Sequence, residues 1–477
     1  MPPPWPTTPP TAADRARFAD AEPRAYWLDA LPAREPCPPL EGAAGTDLCI
    51  VGGGFTGLWA ALQAKADDPG RDVVVLEAET VGFGASGRNG GFVVSSLTHG
   101  LANGLARFAD ELPLLERLGR ENLRGLAGDV ARHGIDCDLE LTGELLPIVA
   151  PYQDAWIDEE RELHERFGYD VEVFPDAAAM QAEIASPTYR GGVWVRDAGG
   201  VLDPARLAVG LLDAARRAGV RVFERTAATG LRQAGDSVVV SCAGGGAVRA
   251  RRAILATSAF PPLVRAIRRY VVPVYDYALM TEPLSAAQLD AVGWRRRQGV
   301  GDGANQFHYY RRTRDGRILW GGYDAVYRFG GPVGPEHDTH EPTFARLAQN
   351  FAVTFPQLDG VRFTHRWGGA IDTCSRFSVF FGTALGGRAA YAVGYTGLGV
   401  GATRFGARVA LDLVDGRDTE ATRSRYVRRK PVPFPPEPLR TAVIALTRDR
   451  LAAADRRDGR RGLWLGALDR LGLGFDS

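Results

Sequence analysis

The sequence predicts a two-domain chain mixing α/β and α+β architecture: a parallel α/β layer interrupted by an inserted antiparallel sheet. Three observations lead there. Leu48 to Val51, a glycine cluster, a helical stretch to Ala66 and the apolar run Val73 to Leu76 make a βαβ unit. Half-solvated stretches lie further along, one of period two between His133 and Leu141 and another from about Val271 to Gly322. Finally, 477 residues is about three times the usual length of one domain, enough for two cores.

Taken in order, residues 1–45 read as a proline-rich arm, eleven of the 31 prolines falling in the first forty positions. Trp5, Tyr26 and Trp27 are the side chains able to pin it to the body. After the βαβ unit, Ile135, Cys137, Leu139 and Leu141 alternate with Asp136, Asp138 and Glu140, the pattern of an antiparallel strand wet on one face. Asp203 and Pro204 open a helix carried by Leu207, Leu211, Ala214, Ala215 and Ala218. Val220 to Phe223 and Ser237 to Val240 then return to strand. Phe307 to Arg312 and Ile318 to Gly321 form a hairpin. A two-residue loop at Asp315 and Gly316 sets Arg311 opposite Trp320 and Tyr310 opposite Gly321. From Pro435 the chain is helical and arginine-rich. Leu439, Leu446, Leu451, Trp464, Leu468 and Leu471 form the apolar side of a tail laid on the body.

Composition excludes several function classes. Lys plus Arg and Asp plus Glu each number 57, so no long-range positive field exists to hold nucleic acid. Lys65 and Lys430 are the only lysines, which removes most lysine chemistry. The five cysteines are scattered, without C-x-x-C spacing, so neither a disulfide framework nor a metal site is expected. The first ten residues carry six prolines and no export signal, and no apolar run reaches the ~18 residues of a membrane span. A cytoplasmic protein without membrane partners is the expectation.

Gly52, Gly54 and Gly57 form G-x-G-x-x-G between strand and helix, and Glu77 ends the next strand twenty residues past Gly57. Such glycines permit a tight turn and close approach of backbone to a pyrophosphate, while the helix start offers amide donors; Phe55 and Thr56 lie within that turn. Glu77, with Ala78 beside it, suits ribose hydroxyls and disfavours a 2′-phosphate. The run GFGASGRNGG from Gly82 to Gly91 follows. Its Ser86, Arg88, Asn89, Gly90 and Gly91 suit the far half of an extended dinucleotide and the approach of a planar ring.

With these residues in view, the chain resembles the FAD-dependent amine and amino-acid oxidoreductases of the D-amino acid oxidase type. It is most similar to the gamma-glutamylputrescine oxidase branch and to bacterial proteins described as aminophosphonate oxidoreductases. The likeness runs from RAYWLDALP at Arg24 through HYYRRTRDGRILWGGYDA and HRWGGAIDT to LDRLGLGFDS. It implies a Rossmann-like FAD-binding domain of glutathione-reductase type over residues 46–130, 196–262 and 366–420. A substrate domain then spans 131–195 and 263–365, and a C-terminal helical extension 421–477. By the same resemblance Ala228 and Thr257 line the nucleotide, while Gly397, Leu398 and Gly399 in GYTGLGVGAT face the electron-rich edge of the reduced ring. Where some relatives attach flavin through cysteine, this chain has Gly369, with Cys374 five residues on, so noncovalent FAD is expected.

The activity implied is hydride transfer from the carbon next to an amine to flavin N5. The imine is hydrolysed to an aldehyde or keto product, and O2, giving H2O2, is the oxidant. An aminophosphonate, a polyamine derivative or an amino acid is the substrate. A dehydrogenase using another electron acceptor, and a flavin-bound redox protein without amine turnover, are the alternatives. Aromatic walls and a polar grip are needed for the substrate. Tyr277, His308, Tyr310, Trp320 and Trp367 have that character, and Arg376 could hold an anionic end. Since a strand has two faces, either His308 and Tyr310 or the set 307, 309 and 311 lines the ring. We take the former, so His308, Tyr310 and Trp367 are the catalytic candidates.

Overall fold

The computed structural model describes residues 5–473, arranged around two large sheets. The first has the order Phe380–Ala384, Ala389–Val393, Ala247–Leu255, Ala43–Val51, Val73–Leu76, Arg221–Phe223. Its central strands are parallel. Val73 to Leu76 are fully buried on both faces, which explains an unbroken apolar run instead of an alternating one. Helices Phe55–Asp67, Pro204–Arg217 and Gly399–Asp415 contribute to one continuous core against this sheet. Asp203 starts the second of these by accepting from the amides of Ala205 and Arg206 at 3.0 and 2.9 Å, and Pro204 supplies the preset φ of a first turn.

The second sheet has nine strands, centred on Val272–Thr281, Ile318–Gly322, His308–Arg312, Gly299–Gly301 and Glu144–Ile148. Segments of the two sheets alternate along the chain. The long strand Phe363–Thr373 pairs antiparallel with Val272–Thr281 over its whole length. The change of sheet therefore falls after Thr373 and not at residue 366, where the sequence reading set it.

Two local expectations need correction. Residues 135–141 form no strand, only a single bridge from Glu140 to Val201. Asp138 has φ of +50°, a left-handed step that breaks an extended run. The hairpin loop has three residues, not two. Thr313 N–H donates to Arg317 O at 2.9 Å and Gly316 takes φ of +81°, the geometry of a turn ending in a left-handed residue. Tyr310 consequently faces Trp320, and Tyr309 faces Gly321.

The N-terminal arm is packed from Trp5 onward. Trp5, Phe18 and Trp27 are buried, and the Glu22 amide donates to Thr364 O at 2.9 Å. The tail forms helices Leu439–Asp455 and Leu463–Arg470. Asp455 anchors it by accepting from the amides of Asn305 and Gln306, both at 3.0 Å. Among the described residues no helix is long and apolar enough to cross a membrane, and no cluster of potential metal ligands occurs.

Candidate active site

A large cavity, about 1400 Å³, lies between the two sheets. Its floor begins at the glycine turn. Gly52 has φ of +112°, and a Cβ there would stand 2.3 Å from Ala256 O. A Cβ on Gly57 would stand 1.9 Å from Gly52 O, so only glycine lets the helix sit this close to the strand. Gly54 caps that helix without a side chain, and a Cβ on it would press on Ser86 Oγ at 2.9 Å. Ser86 Oγ accepts from the Phe55 amide at 2.9 Å. Glu77 closes the turn, accepting from the amides of Gly53 and Glu79 at 2.7 and 3.0 Å. Burial pushes its carboxyl above the ordinary carboxylate range.

Of the positions picked from sequence, Gly52, Gly54, Phe55, Thr56, Glu77, Ala78, Ser86, Arg88, Asn89, Gly90, Ala228, Thr257, Gly397, Leu398, Gly399 and Trp367 border this cavity. Gly57 and Gly91 lie behind the wall. Gly91, at φ of +77°, leaves no room for a Cβ beside Leu202 O. A bare helix start, an acid at the strand end and a glycine-lined slot form a donor set that fits a dinucleotide with an anionic middle.

The loop from Gly82 to Gly91 is a stiff shelf more than a set of free donors. Arg88 donates to Asp338 Oδ2 at 2.6 Å, Gly368 O at 3.1 Å and Phe83 O at 3.0 Å. Asn89 Nδ2 donates to Ala85 O at 2.9 Å, and its Oδ1 accepts from Gly91 N–H at 2.8 Å. Their polar groups are thus turned to the protein. Trp367 Nε1 donates to Arg88 O at 2.8 Å and Trp27 Nε1 to Asn89 O at 2.9 Å.

The opposite wall comes from the second sheet, and here the sequence choice of face fails. His308, Tyr310 and Trp320 point away from the cavity into the core behind the sheet. His308 is fully buried, with Nδ1 3.0 Å from Asp302 Oδ2 and Nε2 3.0 Å from Asn350 Nδ2. The hydroxyls of Tyr310 and Tyr189 are 2.7 Å apart. Trp320 stacks on His308 at 4.7 Å, whereas Arg311 lies over Trp27 instead. Tyr277 is buried, its hydroxyl donating to His337 O at 3.0 Å. Arg376 is spent on the carbonyls of Tyr426 and Arg429 at 2.9 and 2.7 Å, so it holds no anionic substrate group.

The residues that replace them are Tyr309 and Asp276. Both border the cavity, and Tyr309 Oη donates to Asp276 Oδ2 at 2.6 Å. Asp276 Oδ1 accepts from the Tyr277 amide at 2.8 Å. Burial is the largest influence on Asp276 and pushes its pKa up to about 6, against the lowering effect of the Tyr309 hydrogen bond. The glycines around the tyrosine were the missed signal: a Cβ at Gly90 or Gly321 would stand 2.7 or 2.5 Å from its ring. A lone acid within the apolar run VPVYDYALM was the other.

His99 borders the cavity beside Gly397, and burial lowers its pKa to about 4, leaving the ring neutral. The Cys374 thiol does not border it, directing Sγ to Ser378 O at 3.1 Å and Gly394 O at 3.3 Å. Lys65 Nζ donates to Arg71 O at 3.0 Å near the far end of its helix.

Comparison with known proteins agrees with this geometry. The family model described as FAD dependent oxidoreductase (DAO) matches residues 47–413. The chain is 34% identical over 374 residues to gamma-glutamylputrescine oxidoreductase of Escherichia coli, covering 78% of this chain and 84% of that one. It is 30% identical over 401 residues to an oxidoreductase of Haemophilus influenzae named OrdL, covering 83% and 89%. In fold it is similar to glycine oxidase from Geobacillus kaustophilus, with a TM-score of 0.65, 19% identity, and 79% and 96% of the two chains covered. A family match over most of the length, falling on the strand, glycine turn and late helix that bound the cavity, settles the affiliation: this chain belongs to the DAO family of FAD-dependent oxidoreductases.

Proposed function

We propose that this enzyme oxidises a small-molecule amine at the carbon bearing nitrogen, with FAD held noncovalently in a glutathione-reductase-type cofactor domain interrupted by a substrate domain. The observation that carries the reading is the Asp276–Tyr309 pair on the cavity wall, with the Tyr309 ring against Gly90 of the glycine loop. Gly52, Gly54, Phe55 and Thr56 would hold the pyrophosphate, Glu77 the ribose, Ala228 and Thr257 the nucleotide, and Gly397 to Gly399 the ring edge. FAD, when bound, supplies the acceptor for a hydride. The inward-turned Cys374 supports noncovalent attachment.

The chain's own residues handle the proton. An ammonium reaching the cavity meets the Asp276 carboxylate, whose Oδ2 takes one N–H proton and leaves the amine lone pair free to assist C–H cleavage. Loss of hydride from carbon yields an iminium ion. Water adds to it, giving an aldehyde or ketone and releasing ammonia or an amine. With O2 as final oxidant the sum is amine plus O2 plus water to carbonyl compound, ammonia and H2O2. Tyr309 fixes the carboxylate, and Trp367 stiffens the shelf below.

A dehydrogenase working to another acceptor is the second reading: the resemblance implies a lysine near the flavin in relatives that react quickly with oxygen, and among the described residues no lysine borders the cavity. Anaerobic mixing with an amine panel decides the main point. Bleaching of the flavin is expected, and a flavin that no amine reduces would leave a redox protein without turnover. Peroxide measured in parallel separates oxidase from dehydrogenase.

A further inference from the structure

Beyond Tyr309, the same face of the second sheet carries Glu144, and helices Leu112–His133 and Trp156–Arg166 bring two further acids to the cavity. Gly301 lies beside Tyr309, and Glu144 lies beside Gly299 on the next strand. Glu144 is thus two strand spacings across and two residues along, about 12 Å between backbones. It borders the cavity, and its carboxylate has no hydrogen-bond or ion-pair partner among the described residues. Glu160 and Glu116 border the cavity nearby. Glu160 Oε2 stands 3.2 Å from His164 Nδ1. Glu116 is 5% exposed; its Oε2 accepts from Tyr169 Oη at 2.5 Å, while its Oε1 has no partner. Trp156 adds an aromatic wall.

Glu144 has no ion-pair cation among the described residues, while Glu116 also lines a second pocket with Arg117, Arg120, Arg124 and Arg166. His164 is one charge at most against three carboxylates. Arg120 lies under the Tyr169 ring, 3.9 Å from its centroid, and donates to Phe167 O and Gly168 O. Glu144 is the unpartnered one, and burial raises its pKa until a cation arrives; such a carboxyl beside an aromatic face is the chemistry that receives an alkylammonium group, and it gives a phosphonate or carboxylate no partner.

We infer that Glu144, with Glu116, Glu160 and Trp156, forms a remote subsite for a second cationic nitrogen, so that the amine oxidised at the Asp276 end belongs to a di- or polyamine-like chain and not to an aminophosphonate. This rests on the amine-oxidation reading and deepens it. The spacing to Tyr309 calls for a methylene spacer between the two nitrogens.

The test uses the FAD-loaded enzyme and Glu144→Gln, a change with no native partner to lose. α,ω-Diaminoalkanes of graded length are compared with n-alkylamines and aminoalkylphosphonates of matching length. The wild type is expected to favour the diamine over the alkylamine by about tenfold or more in kcat/KM, the worth of one charge-assisted contact. Glu144→Gln should collapse that ratio through KM for the diamine. Binding of a non-oxidisable bis(trimethylammonium)alkane, followed by calorimetry, gives a second readout, again weakened about tenfold by Glu144→Gln. A preference for phosphonates, or a diamine ratio unmoved by the substitution, overturns the subsite while amine oxidation stands. Binding of the bis-quaternary probe lost in Glu144→Gln, with no amine reducing the flavin, keeps the subsite and sinks the oxidation reading.

Discussion

Replacing Tyr309 with Phe removes one hydroxyl and leaves the ring in its slot between Gly90 and Gly321. The hydroxyl donates to Asp276 Oδ2 at 2.6 Å and favours the ionised carboxylate, whose pKa burial has already pushed up to about 6. A hydrogen bond to a charged group is worth about 1.5–3 kcal/mol, and one pH unit corresponds to about 1.4 kcal/mol. Its loss should therefore raise the Asp276 pKa by about one to two units. The sign follows from the role of the carboxylate. Its ionised form receives the ammonium, so wild-type flavin reduction should fall as pH drops through about 6, and the variant's should fall about one to two units higher. Anaerobic stopped-flow bleaching across mildly acidic to alkaline pH reads both limbs. An acid limb that stays in place in Tyr309→Phe means that Asp276 is not the titrating group, and the proton assignment fails.

Asp276→Asn should abolish that limb and slow reduction by about 10²–10⁴-fold, with FAD content unchanged by absorbance; a rate near wild type contradicts the assignment. His308→Ala removes a ring hydrogen-bonded at both nitrogens in the core. It should cost about 3–5 kcal/mol by denaturant unfolding, while the folded fraction still reduces its flavin; a stable but inactive protein would restore His308 to the active site. Gly57→Ala, whose Cβ would stand 1.9 Å from Gly52 O, should cost about 1–3 kcal/mol or more and yield protein depleted of flavin; full FAD occupancy would contradict the close-packing argument. Acid precipitation of wild type should leave FAD in the supernatant, and yellow colour retained in the pellet would mean covalent attachment.

The cofactor side of the site was legible because its chemistry is local. Gly52, Gly54, Gly57 and Glu77 fall within one βαβ unit, and their spacing alone implies strand, turn and helix. The substrate side was not, because it depends on which face of a strand looks inward. A hairpin loop longer by one residue moved Tyr310 from opposite Gly321 to opposite Trp320. The face carrying His308 and Tyr310 was then taken for the cavity wall, yet those residues fill the core behind the sheet. Glu144 escaped notice for a related reason: an acid in a half-buried strand reads as a solvated face, and nothing local distinguishes bulk water from an internal chamber. The packed N-terminal arm was anticipated only in Trp5, Tyr26 and Trp27, since its partners lie hundreds of residues away.

The two indoles that grip the carbonyls of Arg88 and Asn89 belong to Trp367 and Trp27, so the height of the shelf is set by protein alone. A chain stripped of its prosthetic group should therefore keep its berth ready-cut. Reloading becomes a docking event whose speed tracks free cofactor concentration, with no slow refolding step ahead of it.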